Sequence, residues 1–105
     1  MIAGVLLRLA ARDGGFGAVL SKGDEQAGEI IVLLLEKGRK RAILERILQP
    51  NGDYCWHPAD AKIVEDEDKF QDFLARRTRF DPDLWLIELD IASAERFAAE
   101  MNALN

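Results

Sequence analysis

The chain has 105 residues, of which 49% are hydrophobic and 31% charged, so it can fold around its own core as a single domain spanning residues 1–105. Its net charge of −5 arises in the second half, because 8 basic and 6 acidic residues precede Asp53, whereas 6 basic and 13 acidic residues follow from Asp53 onward. An acidic half repels phosphate backbones, so we predict no nucleic-acid partner.

Cysteine usage and hydropathy predict a cytoplasmic protein that is not inserted in a membrane. Cys55 is the single cysteine, so no internal disulfide can form. The longest aliphatic run, Ile30 to Leu35, is far shorter than the roughly 20 residues that span a bilayer. The N-terminal segment lacks the basic region of a signal peptide. No motif indicates a cofactor.

The first third of the chain predicts a helix and two strands. Apolar residues recur at helical spacing before the glycine pair at 14 and 15; they are Ile2, Val5, Leu6 and Leu9. Phe16 to Leu20 predicts a short strand, followed by a turn in which Gly23 is expected to have a positive φ. The six aliphatic residues from Ile30 to Leu35 are typical of a central strand that is covered on both faces.

The middle of the chain predicts a hairpin. Arg41 to Leu48 fits a helical period as well as a strand, and its place between two glycine-containing turns favours the strand. Tyr54 to His57 is then the return strand, which Pro58 ends.

The last third predicts helix, strand and helix. Acidic residues from Glu65 to Asp68 indicate a helix start, and an arginine cluster marks its last turn before Asp81 and Pro82 stop it. Leu84 to Leu89 follows as a strand, and a final helix begins at Ser93.

Together these elements predict an α+β fold, with an antiparallel sheet of four or five strands arranged as a meander and with helices packed on one face. The pairing of the Leu84 strand stays open. A sheet covered on one face only would expose aliphatic side chains on the other, which commonly marks an interface. We therefore predict a protein-interaction or assembly module that acts as a homodimer or with another protein partner.

The segment from Arg76 to Asp90 joins an arginine-rich helix end to a buried strand. Guanidinium groups form paired hydrogen bonds to phosphates and carboxylates, so a small anionic ligand is the alternative partner. The candidate ligand-binding residues combine these arginines with a turn aspartate and two aromatic walls: Arg76, Arg77, Arg79, Asp24, Trp56 and Trp85. The other interpretation is a structural joint at Asp81, Pro82 and Asp83, whose carboxylates pair with the arginines.

An enzyme is the least supported class. Cys55 and His57 point to the same face of a strand, but the sequence places no third polar group to orient the histidine. The two carboxylates flanking Pro82 fall short of the about six oxygen ligands that hard metal ions need. We assign no catalytic residue and no metal ligand.

Three motifs resemble the alphaproteobacterial family called domain of unknown function 1491. They are KGDEQAG at residues 22–28, the lone Trp56 after a hairpin, and RRTRFDPDLWLIELD at residues 76–90. The resemblance runs roughly from Arg8 to Asp90. It implies a small stand-alone bacterial protein without an assigned activity, so it supplies no catalytic residue.

Overall fold

The computed structural model describes residues 2–24 and 29–104. The helices are α1 (Ile2–Arg12), α2 (Ala61–Glu65), α3 (Glu67–Phe80) and α4 (Ala94–Ala103). The strands are β1 (Phe16–Ser21), β2 (Ile30–Glu36), β3 (Arg39–Leu48), β4 (Tyr54–Pro58) and β5 (Trp85–Asp90). None of the helices in these two ranges has the length and apolar character needed to cross a bilayer.

The described strands form a five-stranded sheet in the order β1-β5-β2-β3-β4. β5 runs parallel to β2 and antiparallel to β1, and the other neighbours are antiparallel. The predicted α+β fold is confirmed, and the segment from Arg41 to Leu48 is a strand as expected. The sheet is not a strict meander, because β5 inserts between β1 and β2. This position satisfies backbone groups on both edges of β5, whose alternate side chains are buried.

Helices cover both faces of the sheet, not one face as predicted. α1 and α4 pack on one side, called the α1/α4 face, where Val32 and Leu34 are buried. α2 and α3 pack on the opposite side, the α2/α3 face, where Ile31 and Leu33 are buried in one cluster with Phe70. Successive residues of a strand point to opposite faces, so the aliphatic run of β2 supplies both cores and each needs its own helical layer.

α1 buries a face that is shifted from the predicted apolar stripe. Its buried residues are Ala3, Leu6 and Ala10, whereas Val5 remains 40% exposed. The two alanines let the helix backbone lie close to the sheet. Gly14 follows with a φ of 85°, the left-handed conformation that commonly closes a helix.

The acidic segment contains two helix starts instead of one. The Asp60 carboxylate accepts a hydrogen bond from the backbone N–H of Lys62 and caps α2. Asp66 caps α3 in the same way, and its extended backbone, with a φ of −116°, separates the two helices. α3 ends at Asp81, as the following proline predicts.

Gly23 is required for a different reason from the predicted one. Among the described residues, positive φ angles occur at Lys37 and at three other glycines, namely Gly14, Gly38 and Gly52. A Cβ on Gly23 would instead overlap the carbonyl oxygen of Asp83. That oxygen accepts a hydrogen bond of 3.0 Å from the N–H of Asp24. Gly23 therefore permits close approach of two backbone segments.

We expect Gly23→Ala to lower the free energy of unfolding by more than about 2 kcal/mol, because the added methyl group collides with fixed backbone. Gly4→Ala is the matched control. Its Cβ would meet Arg8 Nη1 at an ordinary 3.5 Å inside α1, so helix propensity should add about 0.5–1 kcal/mol. Urea denaturation followed by circular dichroism measures both changes. Equal stability of Gly23→Ala and the parent chain would contradict the close approach.

Candidate functional site

The carboxylate of Asp81 holds the junction between α3 and β5. Its Oδ1 accepts the N–H of Asp83 at 3.0 Å, which closes a local turn across Pro82. Its Oδ2 accepts the N–H of Glu29 at 2.9 Å, 52 positions earlier in the chain. Asp81 therefore ties the end of α3 to the start of β2.

Trp85 fixes the loop that contains Asp24. The indole Nε1 donates to the carbonyl oxygen of Asp24 at 2.7 Å, and the backbone N–H of Trp85 donates to the carbonyl of Glu29 at 2.7 Å. The Trp85 side chain is buried in the core of the α1/α4 face. Two of the predicted site residues are thus in contact, through the backbone of Asp24. Residues 25–28 of the KGDEQAG motif lie outside the described residues.

Arg77 is paired with glutamates and not with the two aspartates proposed from the sequence. Its guanidinium forms ion pairs with Glu29 and with Glu45 of β3. Asp81 is already engaged by backbone N–H groups, so its carboxylate serves the turn. Arg76 and Arg79 are exposed on α3.

The structure places the predicted aromatic walls and Arg77 on opposite sides of the sheet. Trp56 and Trp85 belong to the core of the α1/α4 face. Arg77 pairs with Glu45, which lies opposite Ile31 on the α2/α3 face. Because the sheet separates them, these residues do not form one pocket. Binding of an anion by the arginine cluster alone stays a prediction.

The residues weighed for catalysis are also dispersed. Half-buried Cys55 accepts a hydrogen bond from Gln49 Nε2 at 2.9 Å, whereas His57 is exposed. Within residues 2–24 and 29–104, no three His, Cys, Asp or Glu side chains are grouped in a way that could hold a metal ion.

Exposed apolar side chains lie on β1, which forms one edge of the described sheet. Phe16 is 69% exposed, Leu20 50% and Val19 39%. Phe16 and Ala18 lie opposite Asp90 and Glu88 of β5, so they face the α2/α3 side, whereas Val19 faces the α1/α4 side with Ile87. The sequence indicated this strand, but no local pattern indicates that it is an edge.

A groove of about 780 Å³ opens beside β1 on the α2/α3 face. It exists because α2 and α3 cover β2 and β3 but leave β1 exposed on this side. Its rims and floor include Leu20, Leu33, Leu35, Lys40, Phe70 and Glu88. Lys40 lies over the Phe70 ring, with Nζ 3.6 Å from the centroid, and pairs with Glu67 at 2.9 Å. Lys40, Glu67 and Phe70 thus form the wall of the groove that lies opposite β1, and the side of the groove at β1 is open.

Glu36 links the end of β2 to the start of α4. Its carboxylate accepts the backbone N–H of Ala94 at 2.7 Å and Arg41 Nε at 3.1 Å. The hydrogen bond from Ala94 and then that from Arg41 lower the pKa of Glu36 below its ordinary value of 4.5. The ionised form is the one that holds α4 in place.

We expect Asp81→Ala to reduce the free energy of unfolding by about 1–3 kcal/mol, since two backbone N–H groups lose their acceptor. Asp83→Ala is the control, because the exposed Asp83 side chain lies next to the same turn and its removal should change stability by less than about 0.5 kcal/mol. Chemical denaturation of both variants measures the difference. Similar losses in both would contradict the role of the Asp81 carboxylate.

Lowering the pH should reduce the stability of the fold, in part through protonation of Glu36. Its pKa is lower in the folded state than in the unfolded state, so its contribution is complete above the unfolded pKa and disappears as the pH falls through the folded pKa. Glu36→Gln should therefore show a smaller drop in Tm between pH 7 and pH 3, read by circular dichroism, than the parent chain. Glu95→Gln, an exposed substitution on α4, is the control. A drop in Glu36→Gln as large as the parent's would refute this role.

A family model described as protein of unknown function (DUF1491) matches residues 1–99. The match extends beyond the range from Arg8 to Asp90 because it includes α1 and part of α4. No curated protein matches the chain.

Solved structures from alphaproteobacteria have the same fold. A crystal structure at 1.87 Å of a DUF1491 family protein from Caulobacter crescentus CB15 has a TM-score of 0.73 and 26% identity, covering 91% of this chain and 89% of that one. An NMR structure of a DUF1491 family protein from the same organism has a TM-score of 0.71 and 26% identity, covering 90% and 86%. A solution structure from Agrobacterium tumefaciens shares the fold, with a TM-score of 0.71, 23% identity, and coverage of 92% and 87%. Because the family model spans almost the whole sequence, the chain belongs to the DUF1491 family.

Proposed function

We propose that the protein is an interaction module that forms a homodimer by pairing β1 of two copies at the edge of the sheet. The proposal rests on the position of β1 at the edge of the sheet and on its exposed apolar side chains. β1 is an edge strand of six residues without a charge, and it exposes apolar side chains on both faces of the sheet. Such a pattern is typical of a strand that is covered on both faces, and β1 is not covered in this way in the single chain.

The opposite edge of the sheet supports this choice by contrast. β4 has only five residues and ends at Pro58, which has no N–H to donate to a neighbouring strand. Short strands, prolines, charges and β-bulges are the usual protection of an edge against pairing. β1 has neither a proline nor a charge along its length, and its register irregularity lies near its end, between Val19 and Ser21.

A second copy of the chain is the partner that suits β1 in symmetry and in the absence of charge on the strand. Each copy has a net charge of −5, and pairing through an uncharged strand keeps charged side chains out of the centre of the contact. Two-fold symmetry is the commonest arrangement of homo-oligomers, and strand addition supplies backbone hydrogen bonds to both copies. Burial of the surface that Phe16 and Leu20 still expose, 69% and 50%, would contribute about 1–2 kcal/mol for each side chain.

Light scattering coupled to size exclusion tests the proposal on the full chain. We expect the parent to elute with twice the mass of one chain. Leu20→Lys should weaken the dimer by at least about tenfold, or ~1.4 kcal/mol, because it places a charge on the contact strand. Leu48→Lys is the matched control, since Leu48 is 58% exposed at the end of β3, away from β1. It should leave the dimer unchanged.

A strict monomer at high concentration, folded by circular dichroism, would overturn the proposal. Equal weakening by Leu20→Lys and Leu48→Lys would also overturn it, because the contact would then not be specific to β1.

A further inference from the structure

We infer that the two copies pair antiparallel about a two-fold axis at Ala18, which sets Phe16 of each copy against the partner's Leu20 at the rim of the groove. This inference rests on the proposed homodimer and specifies its geometry. The groove, so far open at β1, would then be bordered by an aromatic ring from the second copy.

The alternation of side chains limits the possible registers. In a continuous antiparallel sheet, residues that lie opposite each other point to the same face. The axis must therefore pass through a residue of β1, and not between two residues, for each face to stay continuous. With the axis at Ala18, Phe16 lies opposite the partner's Leu20, and Gly17 lies opposite the partner's Val19.

Side-chain size on the α2/α3 face favours the axis at Ala18. Phe16 and Leu20 are the two most exposed apolar side chains of β1, at 69% and 50%. Leu20 is the extra residue where the register with β5 shifts, and its side chain lines the groove. Cross-strand neighbours are about 5 Å apart at Cβ, so the pair would bury both side chains together.

Gly17 contributes no side chain to the α1/α4 face in the same register, and Leu7 and Leu89 fill the space beside it. A Cβ at Gly17 would lie 2.5 Å from Leu89 Cδ2 and 2.8 Å from Leu7 Cδ2. The partner's Val19 therefore meets no side chain of Gly17 and can pack against Leu7.

The neighbouring registers lose these contacts. An axis at Gly17 would place Leu20 opposite the partner's Gly14, with no apolar side chain to pack on. An axis at Val19 would place Phe16 opposite the partner's Lys22, which sets a ring beside an ammonium at the strand end. Only the axis at Ala18 pairs Phe16 with Leu20 among these three.

Charge at the strand ends also fits the axis at Ala18. Lys22 would lie opposite the partner's Gly14, next to the partner's Asp13. The two-fold axis repeats this meeting of opposite charges at the other end of the strand pair. Exposed pairs of this kind add little affinity but favour one register and direction over others.

Disulfide trapping of the full chain tests the register. In a Cys55→Ser background, Ala18→Cys places two thiols directly opposite each other, with Cα atoms about 4.5–5.5 Å apart, which is within the range of a disulfide. Val19→Cys in the same background is the matched control. Its two Cα atoms would be roughly 8 Å apart, given a rise of about 3.4 Å per residue and a strand spacing of about 4.8 Å, which is too far.

We expect mild oxidation with copper phenanthroline to give at least about tenfold more covalent dimer for Ala18→Cys than for Val19→Cys on a non-reducing gel. Light scattering of the reduced samples separates the two proposals. A non-covalent dimer in which Val19→Cys cross-links as well as Ala18→Cys would overturn the register while the proposed homodimer stands. A folded monomer without cross-linking at either position would overturn both.

Discussion

The hydrogen bond from the N–H of Glu29 to the carboxylate of Asp81 determines where β2 and β5 begin relative to each other. These strands are central in the sheet and run parallel, with Ile30 opposite Trp85 at their starts. A parallel pair cannot be joined by a tight turn, so its register must be set by contacts between distant residues. The N–H of Trp85, which donates to the carbonyl of Glu29, adds a second bond at the same point. Both hydrophobic cores are built on the two strands that these bonds align.

The use of polar groups at this junction also explains why it is not an obvious ligand site. The Asp81 carboxylate accepts backbone N–H groups, and Arg77 is engaged by Glu29 and Glu45. Trp85 uses its indole N–H to hold Asp24 and its ring to fill the core. Groups that stood out in the sequence for their chemistry therefore stabilise contacts between strands and loops.

Exposed apolar surface lies at β1, beyond the part of the sheet that α2 and α3 cover. α2 and α3 shield Ile31 and Leu33 but leave β1 and its neighbouring groove open on their side of the sheet. An uncharged edge strand beside an open groove is a surface on which main-chain hydrogen bonds and apolar burial act together. That combination is the physical basis of the strand pairing proposed above.

Local signals in the sequence predicted most of the individual helices and strands. Charge placement and Pro82 indicated the end of α3, and Ser93 marked the start of α4. The DUF1491 motifs likewise indicated the family. Each of these signals is carried by residues close together in the chain, so periodicity and capping reveal them.

The strand order, the second helical layer and the partners of the polar side chains depend on contacts between residues that are far apart in the chain. Asp24 and Trp85 are 61 positions apart, and Glu29 and Asp81 are 52 apart. No local pattern encodes such pairs, because either member would fit many turns. The same holds for the exposure of β1, since a strand becomes an edge only through the placement of all the others.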